Sequence, residues 1–330
     1  MNVTFCLGLT ASLMITSATL AQSSDDLSIA MLIPGKIDDN GFMEAGYNGL
    51  LKIEKDLGAE ISYRDGVEPK KDALTAALRE LAQKGPDMVI AHGGQNNEAA
   101  QIVAAEFPNI PFVVVQGNVT GPNLSSYEVL QEDSAWLGGA MAGLMTKSGV
   151  VGHISGIRVP PGLKGRGGFY NGLMHTKPDA KFLTIFAGNQ DDVALAARVA
   201  KAETDEGADI IFTMLNAGRQ GASDAIRTAG VKQIGNVIDW TKIDPEVYLA
   251  SAIADVSIPS VEAVRDLKEG NWKPAIVKHI GLENPDAVSL TFSDAVPAEV
   301  RDQITALREK IVKGEIKVST EYDGAELAVN

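Results

Sequence analysis

A single cysteine, Cys6, stands in a chain of 330 residues, which excludes a disulfide framework and any zinc site built on cysteine. Histidine is nearly as scarce. His92, His153, His175 and His279 include no pair at i,i+4 spacing, so a histidine metal site is not expected. Positive charge is in deficit: 29 Lys+Arg against 43 Asp+Glu give a formal net charge of -14. Without a basic cluster the chain lacks the cationic footprint that nucleic acid or an anionic membrane demands. Beyond the N-terminal segment no apolar run is long enough to span a bilayer. What is present is core-forming material. Hydrophobic residues make up 45% of the chain, and the length suits roughly two domains of ~150 residues each.

Residues 1–21 carry no charge, and an apolar run from Phe5 to Leu20 gives way at Ala21-Gln22 to Ser23-Ser24-Asp25-Asp26. That short apolar core, with small residues Thr19 and Ala21 before the polar stretch, reads as a secretory signal peptide cleaved near Ala21. The usual leading Lys or Arg is missing. A lipidated cysteine would follow the cleavage point, whereas Cys6 lies at the front of the apolar run. The expected product is an unlipidated, cysteine-free periplasmic protein beginning near Gln22.

From Leu27 onward short apolar runs alternate with amphipathic segments, the rhythm of βαβ units. The runs predict strands at 28–33, 59–63, 87–92, 111–116, 150–155, 181–186, 209–214 and 232–237. Helices are predicted at 41–56, 70–83, 97–106, 133–147, 165–175, 193–206 and 220–228. Stretches such as Met88-Val89-Ile90 and Phe112-Val113-Val114-Val115 are apolar throughout, as in a parallel sheet covered on both faces. A crossing near 123–132 separates two groups of four units. The tail then adds strands at 247–253, 276–282 and 288–292 and helices at 259–268 and 297–312. This is an α/β chain of two doubly wound parallel-sheet lobes joined by hinge strands, placed near 126–130, 249–254 and 280–286. Lobe 1 is expected over 22–128 plus about 254–281, and lobe 2 over 129–253 plus about 282–330.

In such sheets ligands bind at the carboxyl ends of the strands. The loop after the first strand offers Asp38, Asp39 and Asn40, any of which suits capping of the next helix, followed by Phe42, a ring suited to stacking on a flat ligand or to the core. The loop His92-Gly93-Gly94-Gln95-Asn96-Asn97 combines close backbone approach at Gly94 with the amide donors and acceptors of Gln95 and Asn96. Across the crevice stand Asp133, Gln190, Asn216, and the pair Asp239-Trp240, in which a carboxylate would hold hydroxyls while an indole covers an apolar face or packs a hinge. Asp191 or Asp192 suits capping. Gly165-Arg166-Gly167-Gly168 resembles a phosphate loop only loosely and matches no phosphate-loop spacing. No serine elbow, dinucleotide fingerprint or full calcium loop occurs. Neither a cofactor nor a metal is expected.

Asp38-Asp39-Asn40-Gly41-Phe42 with Tyr47-Asn48-Gly49-Leu50 resembles the D-D-x-x-F-N…G-L opening of the basic membrane protein family. Gln131-Glu132-Asp133-Ser134, Gly188-Asn189-Gln190-Asp191-Asp192 and Glu206-Gly207-Ala208-Asp209-Ile210-Ile211-Phe212 resemble its later motifs in the same order. The resemblance implies a type I periplasmic-binding-protein fold and a non-enzymatic, monomeric receptor. That receptor would feed a small molecule to the permease and ATPase subunits of an ABC importer. In the nucleoside-binding members two aromatic rings sandwich a purine, while an Asp and a later Lys hold the ribose. Phe42 matches the first ring and Asp239, or Val237 in another alignment, the ribose Asp. Gln190 stands where the second ring is expected, and Ala254 near the position of the Lys. A purine nucleoside or nucleobase, or another small metabolite such as a sugar, follows as the expected ligand. An exported enzyme on a doubly wound fold and a ligand-sensing regulator are the other classes this pattern admits.

Overall fold

The computed structural model describes residues 27–39 and 41–328; the expected signal segment and Asn40 lie outside them. The first sheet holds β1 (Ser28–Leu32), β2 (Glu60–Arg64), β3 (Met88–His92), β4 (Phe112–Val115), β5 (Leu124–Val129) and β11 (Val277–Ile280), in the order β11-β5-β4-β3-β1-β2. Every pairing in it is parallel. The second holds β6 (Val150–Ser155), β7 (Lys181–Phe186), β8 (Ile210–Met214), β9 (Lys232–Val237), β10 (Tyr248–Ala254) and β12 (Val288–Phe292), in the order β12-β10-β9-β8-β6-β7. There only β12 runs antiparallel to its neighbour.

Helices α1 (Phe42–Leu57), α2 (Lys71–Ala82), α3 (Asn97–Glu106) and α8 (Ile258–Lys268) cover the first sheet. Helices α4 (Gln131–Met145), α5 (Pro160–Thr176), α6 (Val193–Asp205), α7 (Arg219–Ala229) and α9 (Ala298–Val312) cover the second. β3 and β4 are buried at every residue, which explains their unbroken apolar sequence. The chain passes between the sheets at Leu130, again through 255–257, and again through 281–287.

Two segments differ from the sequence expectation. The crossing expected over 123–132 is mostly strand: β5 runs to Val129 and leaves one linking residue, Leu130. Its polar side chains are satisfied by neighbouring segments, one of them distant in sequence. Ser125 Oγ donates to the Lys273 carbonyl (2.7 Å), and Ser126 Oγ to that of Val119 (2.7 Å). The glycine run 165–168 is the interior of α5, which opens with Pro160 and Pro161 rather than at Gly165.

Each glycine makes a close approach: Gly165 to the Met214 side chain, Gly167 to the Thr320 backbone, and Gly168, with Gly172 further on, to the backbone of α4. A Cβ on Gly139 would stand 1.9 Å from the Phe169 carbonyl oxygen, and one on Gly172 1.9 Å from that of Trp136. Glycine costs helix stability relative to alanine, so close packing is what decides these positions. Gly172→Ala is expected to destabilise the protein by about 1–3 kcal/mol through overpacking, against the propensity gain. Urea unfolding of the two proteins checks this, and an unchanged midpoint would mean that the helices do not approach so closely.

Candidate functional site

One stripe of α1, Phe42, Ala45, Asn48, Lys52 and Lys55, recurs every three or four residues and faces away from its own sheet. At its start Asp39 caps the helix. Its carboxylate accepts from the backbone N–H groups of Gly41 (2.9 Å), Met43 (3.2 Å) and Glu44 (3.0 Å). Burial raises its pKa, against the pull of those hydrogen bonds. The same carboxylate accepts from Asn216 Nδ2 at 3.2 Å, a bond from the first lobe to the second. Asp38 is exposed and takes no part in the cap.

Phe42 is half-buried, its ring centroid 4.3 Å from that of His92 with a 34° tilt. His92 is fully buried, and desolvation pushes its pKa down to about 4 against the hydrogen bond to Phe42. The imidazole is therefore neutral at pH 7. Its Nε2–H donates to the Phe42 carbonyl at 2.8 Å, while Nδ1 is buried without a partner. Gly93 has φ +101, where glycine is required, and a Cβ on it would meet the exposed Gln95 side chain at 2.4 Å. Gly94 begins a short 3-10 turn, and a Cβ there would stand 2.8 Å from the Gln116 carbonyl. Asn96 is buried and hooks the turn, Nδ2 donating to the carbonyls of His92 (2.9 Å) and Gly93 (3.0 Å). Gln116 itself, which sequence reasoning passed over, has φ +56 and clips β4 to β5. Its Oε1 accepts from Val129 N at 2.6 Å, and its Nε2 donates to Val129 O at 3.3 Å.

On the other side Asp133 lies buried in the first turn of α4. Burial, with the Glu132 and Glu283 carboxylates nearby, raises its pKa to about 7. The Gln190 carbonyl ties two loops together by accepting from Asn216 N (3.0 Å) and Gly218 N (3.0 Å), while its side chain packs against Gly156. Asp192 caps α6 by accepting from Leu195 N (2.9 Å).

Asp239 Oδ1 accepts from Thr241 Oγ1 (2.5 Å), Thr241 N (3.2 Å) and Thr291 Oγ1 (2.8 Å), and Lys242 Nζ lies 3.2 Å from Oδ2. Burial opposes ionisation, but these partners outweigh it and the pKa falls below the usual range. A cavity of about 640 Å³ lies between Ala45, Asn48, Lys52 and Lys55 of α1 and Asp239, Asp255, Ser289 and Thr291; of the sequence-predicted ligand residues Asp239 lines it, whereas Phe42 and the 93–96 turn do not. Trp240 is not in it. The indole turns the opposite way, stacking on Tyr248 (5.7 Å, 25°) and donating to the Asn236 carbonyl at 3.0 Å. The expected Asp239-Trp240 pair therefore divides, because the turn after β9 sends consecutive side chains to opposite sides. Lys52, Asp255 and Thr291 join Asp239 instead. None belongs to a recognisable motif, and only the assembled lobes reveal them. Among the described residues no cluster of His, Cys, Asp or Glu is placed to hold a metal.

A model of the Bmp family, described as ABC transporter substrate-binding protein PnrA-like, matches residues 27–321. The chain belongs to the Bmp family. It is 25% identical over 280 residues to the transcriptional activator protein med of Bacillus subtilis (strain 168), covering 84% of this chain and 86% of that protein. It is 24% identical over 314 residues to a purine-binding protein of Brucella abortus (strain 2308), covering 93% and 88%. A solute-binding protein of an Aeropyrum pernix K1 ABC transporter superposes with a TM-score of 0.77 at 18% identity, over 90% of this chain and 94% of that one. A transcriptional activator of the comK gene from Bacillus halodurans gives 0.76 at 23% identity, over 88% and 99%. These structural likenesses fix the fold. Bmp membership makes the protein a solute-binding receptor of the ABC-transporter class, with a small molecule and membrane transporter subunits as its partners.

The buried imidazole gives this Bmp protein a measurable pH signature. Folded His92 titrates near about 4, below its unfolded value of ~6.5, so the unfolded chain binds more protons between the two. Its stabilising contribution is complete above ~6.5 and is lost as pH falls towards 4. The stability difference between wild type and His92→Gln should therefore shrink by about 2 kcal/mol from pH 7 to pH 4.5. Urea unfolding at both pH values checks this, and the comparison cancels the other titrating groups. A constant difference would contradict a buried neutral imidazole.

Proposed function

We propose that this protein is an exported, periplasmic receptor of an ABC importer that captures a purine nucleoside or nucleobase between its two lobes. The carrying observation is the interlobe cavity, walled by α1 on one side and by Asp239, Ser289 and Thr291 on the other, in a chain of the Bmp family. The Brucella relative's name, a purine-binding protein, favours a purine over a sugar.

In this reading Phe42, its tilt limited by His92, offers one face to a flat base. Asp38, Asp39, Asn40, Gly94, Gln95, Asn96, Asp133, Gln190 and Asn216 complete the proposed shell, some as contacts and some as the turns that hold them, while Trp240, turned to the other side, is left out of it. Asp239 is ionised, and Thr241, Thr291 and Lys242 fix its direction, so it presents an oriented acceptor to ligand hydroxyls. Contacts from both lobes make the closed arrangement the tighter binder, and ligand shifts the population towards it. The Asp39–Asn216 bond is a contact that only an approach of the lobes permits. The transmembrane permease then reads the closed form, with no catalytic step. The two relatives named as transcriptional activators suggest a second use of this fold, as a ligand sensor. Fractionation of cells producing the full chain separates the two, since a periplasmic, shortened product fits only the importer reading.

Ligand-free protein prepared by refolding should melt higher with purine nucleosides or bases, since a ligand of the folded state stabilises by mass action. Phe42→Ala should weaken that binding at least about tenfold, the equivalent of ~1.4 kcal/mol. Asp239→Asn should weaken nucleosides much more than free bases. Silence from all purines with a shift from a sugar would retire the purine assignment. Equal losses for nucleoside and base in the Asp239 variant would remove it from the hydroxyl role.

A further inference from the structure

The second lobe carries a cavity of its own, of about 620 Å³, lined among others by Asn216, Arg219, Ser223, Trp240 and Tyr248. Its origin is topological. β9 and β10 are parallel neighbours, a connection that ordinarily contains a helix packed on the sheet. Here residues 238–247 make it without one, leaving space beside α7.

Arg219 in its wall is only 4% exposed. The guanidinium carbon sits 4.2 Å from the centroid of the Trp240 ring. Nη2 donates to the Leu215 carbonyl and to Asn236 Oδ1 (2.8 Å), both neutral, while Nε and Nη1 have no partner. The remaining polar neighbour is the Tyr248 hydroxyl, itself 2.8 Å from Ser223 Oγ. No carboxylate offsets the charge: Asp244, also in the lining, pairs with Arg227 at the surface. Arg227 is likewise shared with Asp224 at 2.9 Å. The first amides of α7 are engaged in the turn that precedes it, so the guanidinium is the group left to bind an anion. Buried charges in folded proteins are as a rule paired, and this one has neutral partners beside an open cavity.

We propose that this cavity is a second binding site, for a small oxyanion, a carboxylate or a phosphate, whose charge complements Arg219. The Trp240–Tyr248 stack forms an apolar wall for the body of an organic acid, and Ser223 and Tyr248 supply hydroxyls. The site is separate from the interlobe cavity, shares no lining residue with it, and does not depend on what that cavity binds.

Melting of the purified full-length mature protein would be followed in inorganic phosphate, acetate or benzoate, against chloride at equal ionic strength. The expected result is a saturable rise on the order of 4 °C at a hundredfold excess over Kd. The rise should be lost, with at least tenfold weaker binding, in Arg219→Met and kept in Asp239→Asn. A rise with phosphate alone assigns an inorganic anion, and a larger one with benzoate an organic acid. If Arg219→Met does not fold, titration of wild-type tryptophan fluorescence with the same anions serves, with Trp240→Phe as its control. No saturable response in the wild type, or an equal response in Arg219→Met, overturns the proposal.

Discussion

Three passages of the chain between two six-stranded sheets, at Leu130, 255–257 and 281–287, set the mechanical character of this molecule. A single linker would let the lobes tumble independently. Three side-by-side passages restrict them to bending about a common line. The strands feeding those passages are among the most firmly held parts of the structure: β5 is buried along its whole length and β10 over six of its seven residues. Bending is therefore confined to a few residues outside the ladders, and the carboxyl ends of both sheets face one crevice. The ligand site, the lobe-to-lobe bond and the proposed closure follow from that arrangement.

Electrostatics inside the crevice are arranged by burial rather than by net charge. The chain as a whole is strongly acidic, yet several buried groups facing the lobe junction are held neutral or satisfied. His92 loses its proton through desolvation, Asp39 is engaged by the first turn of α1, and Asp133 keeps its proton to about pH 7. Asp239 is the exception, a carboxylate kept ionised by two threonines and a lysine. The cavity wall carries both signs of charge, Lys52, Lys55 and Lys242 against Asp239, Asp255 and Asp286, so no single sign dominates it. The cationic Arg219 lies outside this crevice, on the far side of the turn after β9.

Most elements were legible in the sequence because local and tertiary preferences agree there. Apolar runs became buried parallel strands, and Gly58 and Gly230 took the left-handed conformation that ends a helix. Where the two preferences conflict, the reading failed. Ser125, Ser126 and Glu128 made β5 read as a crossing with a hinge rather than a full sheet strand, since their polarity is balanced by partners distant in sequence, Lys273 and Lys164 among them. The start of α5 was missed because Pro160, Pro161 and Gly162 read as a break, although proline suits the first turn of a helix. The site was half legible. Asp39 and Phe42 sit in a local motif, whereas the separation of Asp239 from Trp240 depends on a turn geometry no spacing rule encodes. Arg219 gave no signal at all, because what distinguishes it is the absence of a counter-ion in three dimensions.

The central claim is that ligand draws the two lobes together at the Asp39–Asn216 rim. Spin or fluorescent labels on Lys36→Cys and Ala217→Cys, in a mature chain otherwise expected to lack cysteine, would report that distance directly. The account predicts a broader, longer distance distribution without ligand that collapses to a single shorter one as purine is added, with the same Kd as the thermal shift. A distance unchanged by a ligand that demonstrably binds would contradict it.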